Sequence, residues 1–290
     1  MTGAALAKSK SLSYMRTLQQ AIDKMENRGG AGASLRKHMA AAGIREWGDI
    51  TRATLYDFAD HLHESVAPGT AKTVAAYAKS LLHRYEDDVK LPAGWEAILQ
   101  VKGDTTRGTY LTRAELKQLE SVETKSDTER IVLAEALIEA YTGARISDVM
   151  TFTEENFKDG FLTYTSQKTK VTATVPVSEK TRGWICYAQE HRADEPTLMS
   201  HNRIIRRLCK RAGIDTPVKT RRGGGERVTP KWEACSSHTF RKSCATNLVE
   251  SGASLNDAKL CLGHTSTAMT ERYVVNTRPN LSAKAMAYFL

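Results

Sequence analysis

Wound at 3.6 residues per turn, the segment Ile131 to Tyr141 (IVLAEALIEAY) is apolar around most of its circumference. At eleven residues it is too short to cross a bilayer, so it reads as a helix enclosed by protein. Whatever folds around it must supply apolar faces on several sides. It is expected to be the centre of a domain core and to end at Thr142-Gly143, where glycine can close a helix in the left-handed conformation.

At 290 residues the chain is long enough for two domains. Ser11 to Asn27 places Leu12, Met15, Leu18, Ile22 and Met25 at helical spacing, and the glycine-rich Arg28 to Ser34 is expected to break it. Leu35 to Ala42 reads as a second short helix. A third, capped by Thr51, runs through Leu55, Phe58, Ala59 and Leu62, and after Pro68-Gly69 a fourth spans about Thr70 to Tyr85. These make a small all-helical domain. Leu91 to Gly94 and Val101 to Gly108 are polar, broken and without period, as a linker would be, which puts the boundary near 102 to 109. The second domain opens at Thr112 and Glu115, a capping box with Leu111 as its staple.

Beyond the central helix, Arg145 and Asp148 stand three apart on a short helical turn, with Asp148 the local partner for the arginine. Phe157 to Thr165 and Val171 to Val177 read as a β-hairpin with Lys168 and Lys170 at its tip, and Pro176 restricts its strand to an edge. Gly183 to Gln189 and Ser200 to Ala212 are helical. Pro217 to Pro230, rich in arginine and glycine, reads as a loop. From Ser236 to Val275 three helical segments follow. The first carries His238 and Arg241, the second closes at Gly263-His264, and a short stretch then delivers Tyr273.

Formal net charge is +9. Much of the excess lies between His201 and Lys231, where Arg203, Arg206, Arg207, Lys210, Arg211, Lys219, Arg221, Arg222, Arg227 and Lys231 face only Asp215 and Glu226. A polyanion such as nucleic acid is the partner this suggests; a solvated basic face is the plain alternative. In the first reading Lys170, Arg203, Arg206, Arg207, Lys219, Arg221, Arg222 and Arg227 would follow a DNA backbone and leave the bases unread. Cys186, Cys209, Cys235, Cys244 and Cys261 form no CxxC, so neither a disulfide framework nor a zinc site is expected, and they read as buried small hydrophobes. MTGAALAKSKSLS has no apolar export core, which points to the cytoplasm and away from a membrane.

The inventory near the C-terminus suits phosphoryl transfer. Arg145, Arg241 and a hairpin lysine can engage a phosphodiester's oxygens, Tyr273 can attack phosphorus, and His238 and His264 can handle protons or donate hydrogen bonds. Paired carboxylates at metal spacing and an HExxH motif are both absent from the sequence, so the chemistry is expected to need no metal and no cofactor. In order, TGAR with Arg145, SQKTK with Lys168, HTFR with His238 and Arg241, CLGH with His264 and ERYV with Tyr273 resemble the catalytic set of the tyrosine recombinase or phage integrase family.

The resemblance implies a mostly α fold with a small β-sheet or hairpin: an all-helical, SAM-like core-DNA-binding domain over residues 1–105, with its linker at the end, and an α+β catalytic domain over 106–290. It implies that Arg145 and Arg241 clamp the scissile phosphate and that Tyr273 attacks it to leave a 3′-phosphotyrosyl link. Lys168, or Lys170 if the hairpin register differs, would protonate the leaving 5′-oxygen, His238 would take the tyrosine proton and His264 would bond the phosphate. Double-stranded DNA with inverted half-sites, a homotetramer on that DNA, and a C-terminal tail from Leu281 to Leu290 docking on a neighbouring protomer follow from the same resemblance, as does a place on the nucleoid of a bacterial or phage-infected cell. The few residues ahead of the first helix suggest no additional arm-binding domain. A type IB topoisomerase-like activity and a catalytically silent DNA-binding protein are the alternatives.

Overall fold

The computed structural model describes residues 16–26, 31–103, 108–192, 196–222 and 225–275. The chain divides into two compact units, residues 1–105 with 221–227, and 106–220 with 228–290. The expected tail from Leu281 to Leu290, the start of the first expected helix and the end of the expected linker lie outside the described residues.

In the first unit the helices are α1 (Leu18–Glu26), α2 (Ala31–Ala41), α3 (Arg52–Ser65), α4 (Pro68–Arg84) and the single turn α5 (Trp95–Ile98). Leu18, Ile22, Leu35, Leu55, Phe58, Leu62 and Leu81 are each no more than 1% exposed and share one core. The Thr51 hydroxyl caps α3 by accepting the Thr54 N–H. Two helices start earlier than expected. Residues 31–34, the end of the expected break, already belong to α2, where Gly32 is buried. Pro68 opens α4 at a first-turn position, whose missing N–H has no partner in any helix. Part of the expected linker also belongs to the core, because Val101 is buried in it and Leu91 packs against it.

The second unit opens with α6 (Arg113–Glu120), α7 (Asp127–Thr142) and α8 (Ile146–Val149). A sheet of β1 (Phe157–Lys158), β2 (Phe161–Thr165) and β3 (Thr172–Pro176) is followed by α9 (Glu179–Glu190) and α10 (Leu198–Arg211). Then come β4 (Pro217–Arg222), β5 (Gly225–Pro230), α11 (Lys231–Ala234), α12 (Ser237–Glu250), α13 (Leu255–Leu262) and α14 (Thr267–Glu271). The capping box at Thr112 and Glu115 forms as expected.

The apolar helix of the sequence is α7, with every residue from Ile131 to Ala140 buried and α9, α10 and α12 packed around it. Gly143 ends it at φ +71°, and a Cβ there would stand 3.2 Å from the Cys244 Sγ. The closure therefore requires glycine both for conformation and for space.

The sheet is antiparallel in the order β1-β2-β3, pairing Leu162 with Val175 and Tyr164 with Ala173 on its buried face. Thr163 pairs with Thr174 and Thr165 with Thr172 on the other face, each hydroxyl pair 3.0 Å apart. Pro176 lies in the edge strand β3. The tip closes through Ser166 N–H to Val171 O and Lys170 N–H to Ser166 O, both 2.9 Å, with Lys170 at φ +56°.

Residues 217–230 are not a loop: β4 and β5 form a two-stranded sheet of their own. The β-branched Val218, Thr220, Val228 and Thr229 favour extended chain. Cys209 and Cys235 are buried as expected, whereas Cys186, Cys244 and Cys261 are only partly so. Among the described residues no helix is long and apolar enough to cross a membrane.

Candidate active site

The second unit brings the C-terminal ends of α7 and α13, the hairpin tip and one face of α12 to one place, and Arg241 is the side chain that joins them. It is 0% exposed, and its Nη1 donates to the Gly143 carbonyl at the end of α7. Nη2 donates to the Leu262 carbonyl at 2.7 Å and to His264 Nε2 at 2.9 Å. Each helix end offers carbonyls that lack a partner inside their own helix, and a buried guanidinium satisfies one from each.

Those contacts determine the tautomer of His264. An arginine can only donate, so Nε2 is the acceptor and the ring proton sits on Nδ1, which donates to the Thr270 hydroxyl at 3.0 Å. In this arrangement His264 holds Arg241, and a hydrogen bond from His264 to a phosphate requires Nε2 to exchange that partner for a proton. The sequence motif carried no sign of Thr270, six residues further on.

Tyr273 follows α14. Its ring centroid is 4.9 Å from that of His238, edge-on, and 4.8 Å from that of His264, and Arg241 Cζ lies 5.4 Å from it. The Thr246 hydroxyl, on α12, receives the Val275 N–H at 3.0 Å and so ties the chain just after the tyrosine to the helix bearing His238 and Arg241.

Arg145 is the N-cap residue of α8 and donates Nη1 to the Ser166 hydroxyl at 2.9 Å. Asp148, its expected partner, is 4.0 Å away and turns one oxygen to the Gln167 N–H at 2.9 Å. The acid therefore anchors the hairpin tip, which is how α8 and the Lys168 turn are held in register. Ser166, the arginine's hydrogen-bond partner, had no signal in the sequence.

Lys168 is exposed on that turn, and its charge reaches His238. The same field is felt by both histidines. His238 is lowered to about 4, by burial first and then by Lys242, Arg241, Arg145 and Lys168. His264 is lowered to about 4, by burial and then by Arg241, Arg145 and His238. His238 is exposed at the surface of the site, and the groups packed around its ring still displace part of its hydration. Both rings are thus neutral in the free protein at pH 7, and either can accept a proton.

A titration of the imidazole proton resonances is expected to place both midpoints near 4, well below the ordinary 6.5. Because the folded pKa is depressed, the unfolded chain takes up these protons first. The histidines' contribution to stability is whole above pH 6.5 and is lost as pH falls toward 4. Midpoints at 6.5 or above would show that burial, Arg241 and Arg145 do not act together on these two rings.

Lys170, Arg203, Arg207, Lys219 and Arg227 are exposed. Arg206 is half-buried and donates Nε to the Cys235 carbonyl at 3.3 Å, and Arg207 comes within 3.7 Å of Glu129. The side chains of Arg221 and Arg222 lie outside the described residues.

The model of the phage integrase family matches residues 109–278, which contain all six candidate catalytic positions. The chain belongs to the phage integrase, or tyrosine recombinase, family. Tyrosine recombinase XerD of Chlorobaculum tepidum is 28% identical to the integrase-family chain over 152 residues, covering 46% of this chain and 44% of the relative. The chain thus spans less than half the length of that curated relative. Among solved structures, a lambda integrase dimer bound to a COC′ core site is similar with a TM-score of 0.65 at 17% identity, over 92% of this chain and 98% of that one. The Tn1549 transposon integrase in complex with transposon right end DNA gives 0.62 at 14% identity, over 95% and 99%. At such identities the structures establish a shared fold.

Proposed function

We propose that this chain cleaves and rejoins DNA strands through a 3′-phosphotyrosyl intermediate on Tyr273. The observation that carries the reading is the convergence on one tyrosine ring of a fully buried, doubly anchored Arg241 and two neutral imidazoles. Buried at the base of the site, Arg241 offers a positive charge that is preorganised for a phosphate's non-bridging oxygens, and Arg145 adds a second from the hairpin side. The Tyr273 hydroxyl attacks phosphorus and passes its proton to His238. The bond from phosphorus to the 5′-oxygen breaks, and Lys168 gives that oxygen its proton. Rejoining is the reverse, with a 5′-hydroxyl attacking the tyrosyl ester. The ester conserves the energy of the broken bond, so the cycle balances with no nucleotide and no metal.

The proposal extends to assembly. Lambda integrase has been seen as a dimer on a core site and as a tetramer on a Holliday junction. By the same logic this chain would act in pairs on inverted half-sites, with residues 1–105 as a helical DNA-binding domain and residues 106–290 as the catalytic domain. Integration, excision or resolution of a mobile element is the role that such a reaction serves.

The test uses a duplex selected by the full-length protein from a random pool and nicked beside the cleavage point, so that the covalent adduct is trapped. Peptide mapping should place the DNA on Tyr273, and a different attachment point would end the proposal. The leaving-group role is tested separately. Lys168→Ala should lose adduct formation by roughly a hundredfold and regain it when sulfur replaces the bridging 5′-oxygen, because a thiolate departs without a proton. Rescue of Lys170→Ala instead would move the acid two residues along the hairpin.

A further inference from the structure

The short helix α14 lies between His264 and Tyr273, two residues with a part in the proposed mechanism. Thr267, Ala268 and Glu271 on it are exposed, whereas Thr270 is 0% exposed. A helical turn is ordinarily seated by an apolar side chain, and a buried hydroxyl costs free energy unless it is bonded. Thr270 is bonded: its Oγ1 is 3.0 Å from His264 Nδ1, on a ring that is itself buried. The proposed mechanism gives this threonine no part.

The neighbours of His264 fix the direction of that contact. Arg241 Nη2 stands 2.9 Å from His264 Nε2 and can only donate, so Nε2 carries the lone pair. Were Thr270 the donor to Nδ1, both ring nitrogens would be acceptors, a state that an imidazole reaches only by losing its last proton. The proton therefore sits on Nδ1, and the Thr270 hydroxyl accepts it. With its main-chain carbonyl the same residue accepts the Tyr273 N–H at 2.8 Å and the Val274 N–H at 3.2 Å. Thr270 thus meets the backbone of the tyrosine with one oxygen and the partner of Arg241 with the other.

We infer that Thr270 is a positioning residue of the cleavage site: its hydroxyl keeps the His264 proton on Nδ1 so that Nε2 faces Arg241, and its carbonyl seats Tyr273 in the same frame. Which imidazole nitrogen is protonated is set by the bond that the other makes, and here both bonds are made inside the protein. Without the hydroxyl, the Nδ1–H is left in a buried site with no acceptor. A proton moved to Nε2 would point at the Arg241 guanidinium, and a turned ring would take the acceptor away from Nη2. Either change shifts the charge that the phosphate requires relative to the tyrosine. This inference rests on the phosphotyrosyl reading.

The test compares Thr270→Val, which keeps the shape and the main-chain carbonyl but removes the hydroxyl, with Thr270→Ser, which keeps the hydroxyl. On the trapped-adduct duplex at saturating DNA, Thr270→Val should form adduct at least about tenfold more slowly with duplex affinity unchanged, and Thr270→Ser should run near the wild-type rate. Wild-type rates in both variants, or equal losses in both, overturn the inference. In a His264→Ala background Thr270→Val should cost nothing further, because the hydroxyl acts through that ring; the full loss there overturns the inference too. Should the Val variant fail to fold, nitrogen NMR of the wild-type imidazoles decides. At pH 7 His264 should carry its proton on Nδ1, and a proton on Nε2 overturns the inference. Tyr273→Phe separates the two levels. Adduct surviving in that variant sinks the phosphotyrosyl reading, whereas adduct that needs Tyr273 but ignores the Thr270 hydroxyl sinks only the positioning role.

Discussion

Tyr273→Phe is expected to lose covalent attachment to DNA by at least roughly a thousandfold while binding the selected duplex almost as well as the wild type. The substitution removes one oxygen and nothing else. The ring contacts with His238 and His264, at 4.9 and 4.8 Å, are made by carbon atoms that phenylalanine retains. Affinity for a duplex comes mainly from phosphate contacts spread over many basic side chains, none of which the substitution touches. Equal adduct yields from the two proteins on the nicked duplex, after denaturation, would remove Tyr273 from its role.

Arg241→Ala is expected to be nearly as severe for cleavage, on the order of a thousandfold, and unlike the tyrosine substitution it should also destabilise the fold. The guanidinium is 0% exposed and bonds the Gly143 and Leu262 carbonyls as well as His264. Alanine leaves those buried acceptors unpaired, at about 1–3 kcal/mol each where no other donor takes over. Arg241→Lys should rescue poorly, because a single ammonium cannot span two helix ends and a phosphate from one planar fork. Thermal melting measured beside adduct formation, at a temperature where every variant is folded, separates the two losses. A melting temperature that falls while the adduct forms at the wild-type rate would make Arg241 a structural residue and leave Arg145 as the main phosphate ligand.

Much of this was legible in the chain. The apolar circumference of Ile131 to Tyr141 demanded a central helix, and α7 is enclosed from Ile131 to Ala140. Thr51 and Thr112 announced helix starts because a cap is a local device, satisfied within three residues. The hairpin was visible in its alternation, and Leu162, Tyr164, Ala173 and Val175 do face inward. Local rules failed where burial outweighed propensity. Gly32 lies within a helix because neighbouring helices bury it, and Leu91 and Val101, read as linker, join a core although their segments have no period. The strands β4 and β5 were missed because charge drew the eye from their β-branched pairs.

The candidate site divides along the same line. Residue types and their order along the chain are properties of the sequence, and they were enough to mark Arg145, Lys168, His238, Arg241, His264 and Tyr273 as one set. What each of these atoms is bonded to is not. Asp148, three residues from Arg145, is its ion-pair partner at 4.0 Å as helical spacing suggested, but spacing did not show that it also accepts the Gln167 N–H on the hairpin or that Arg145 donates to Ser166. His264, expected to bond the phosphate, also has two protein partners that its motif did not announce: it accepts from Arg241 and donates to Thr270. The physical reason is that helix and strand patterns are satisfied between near neighbours, so sequence spacing records them. Hydrogen bonds in the site join residues up to 98 positions apart, and their partners are chosen by which helix ends, turns and faces the folded core brings within reach.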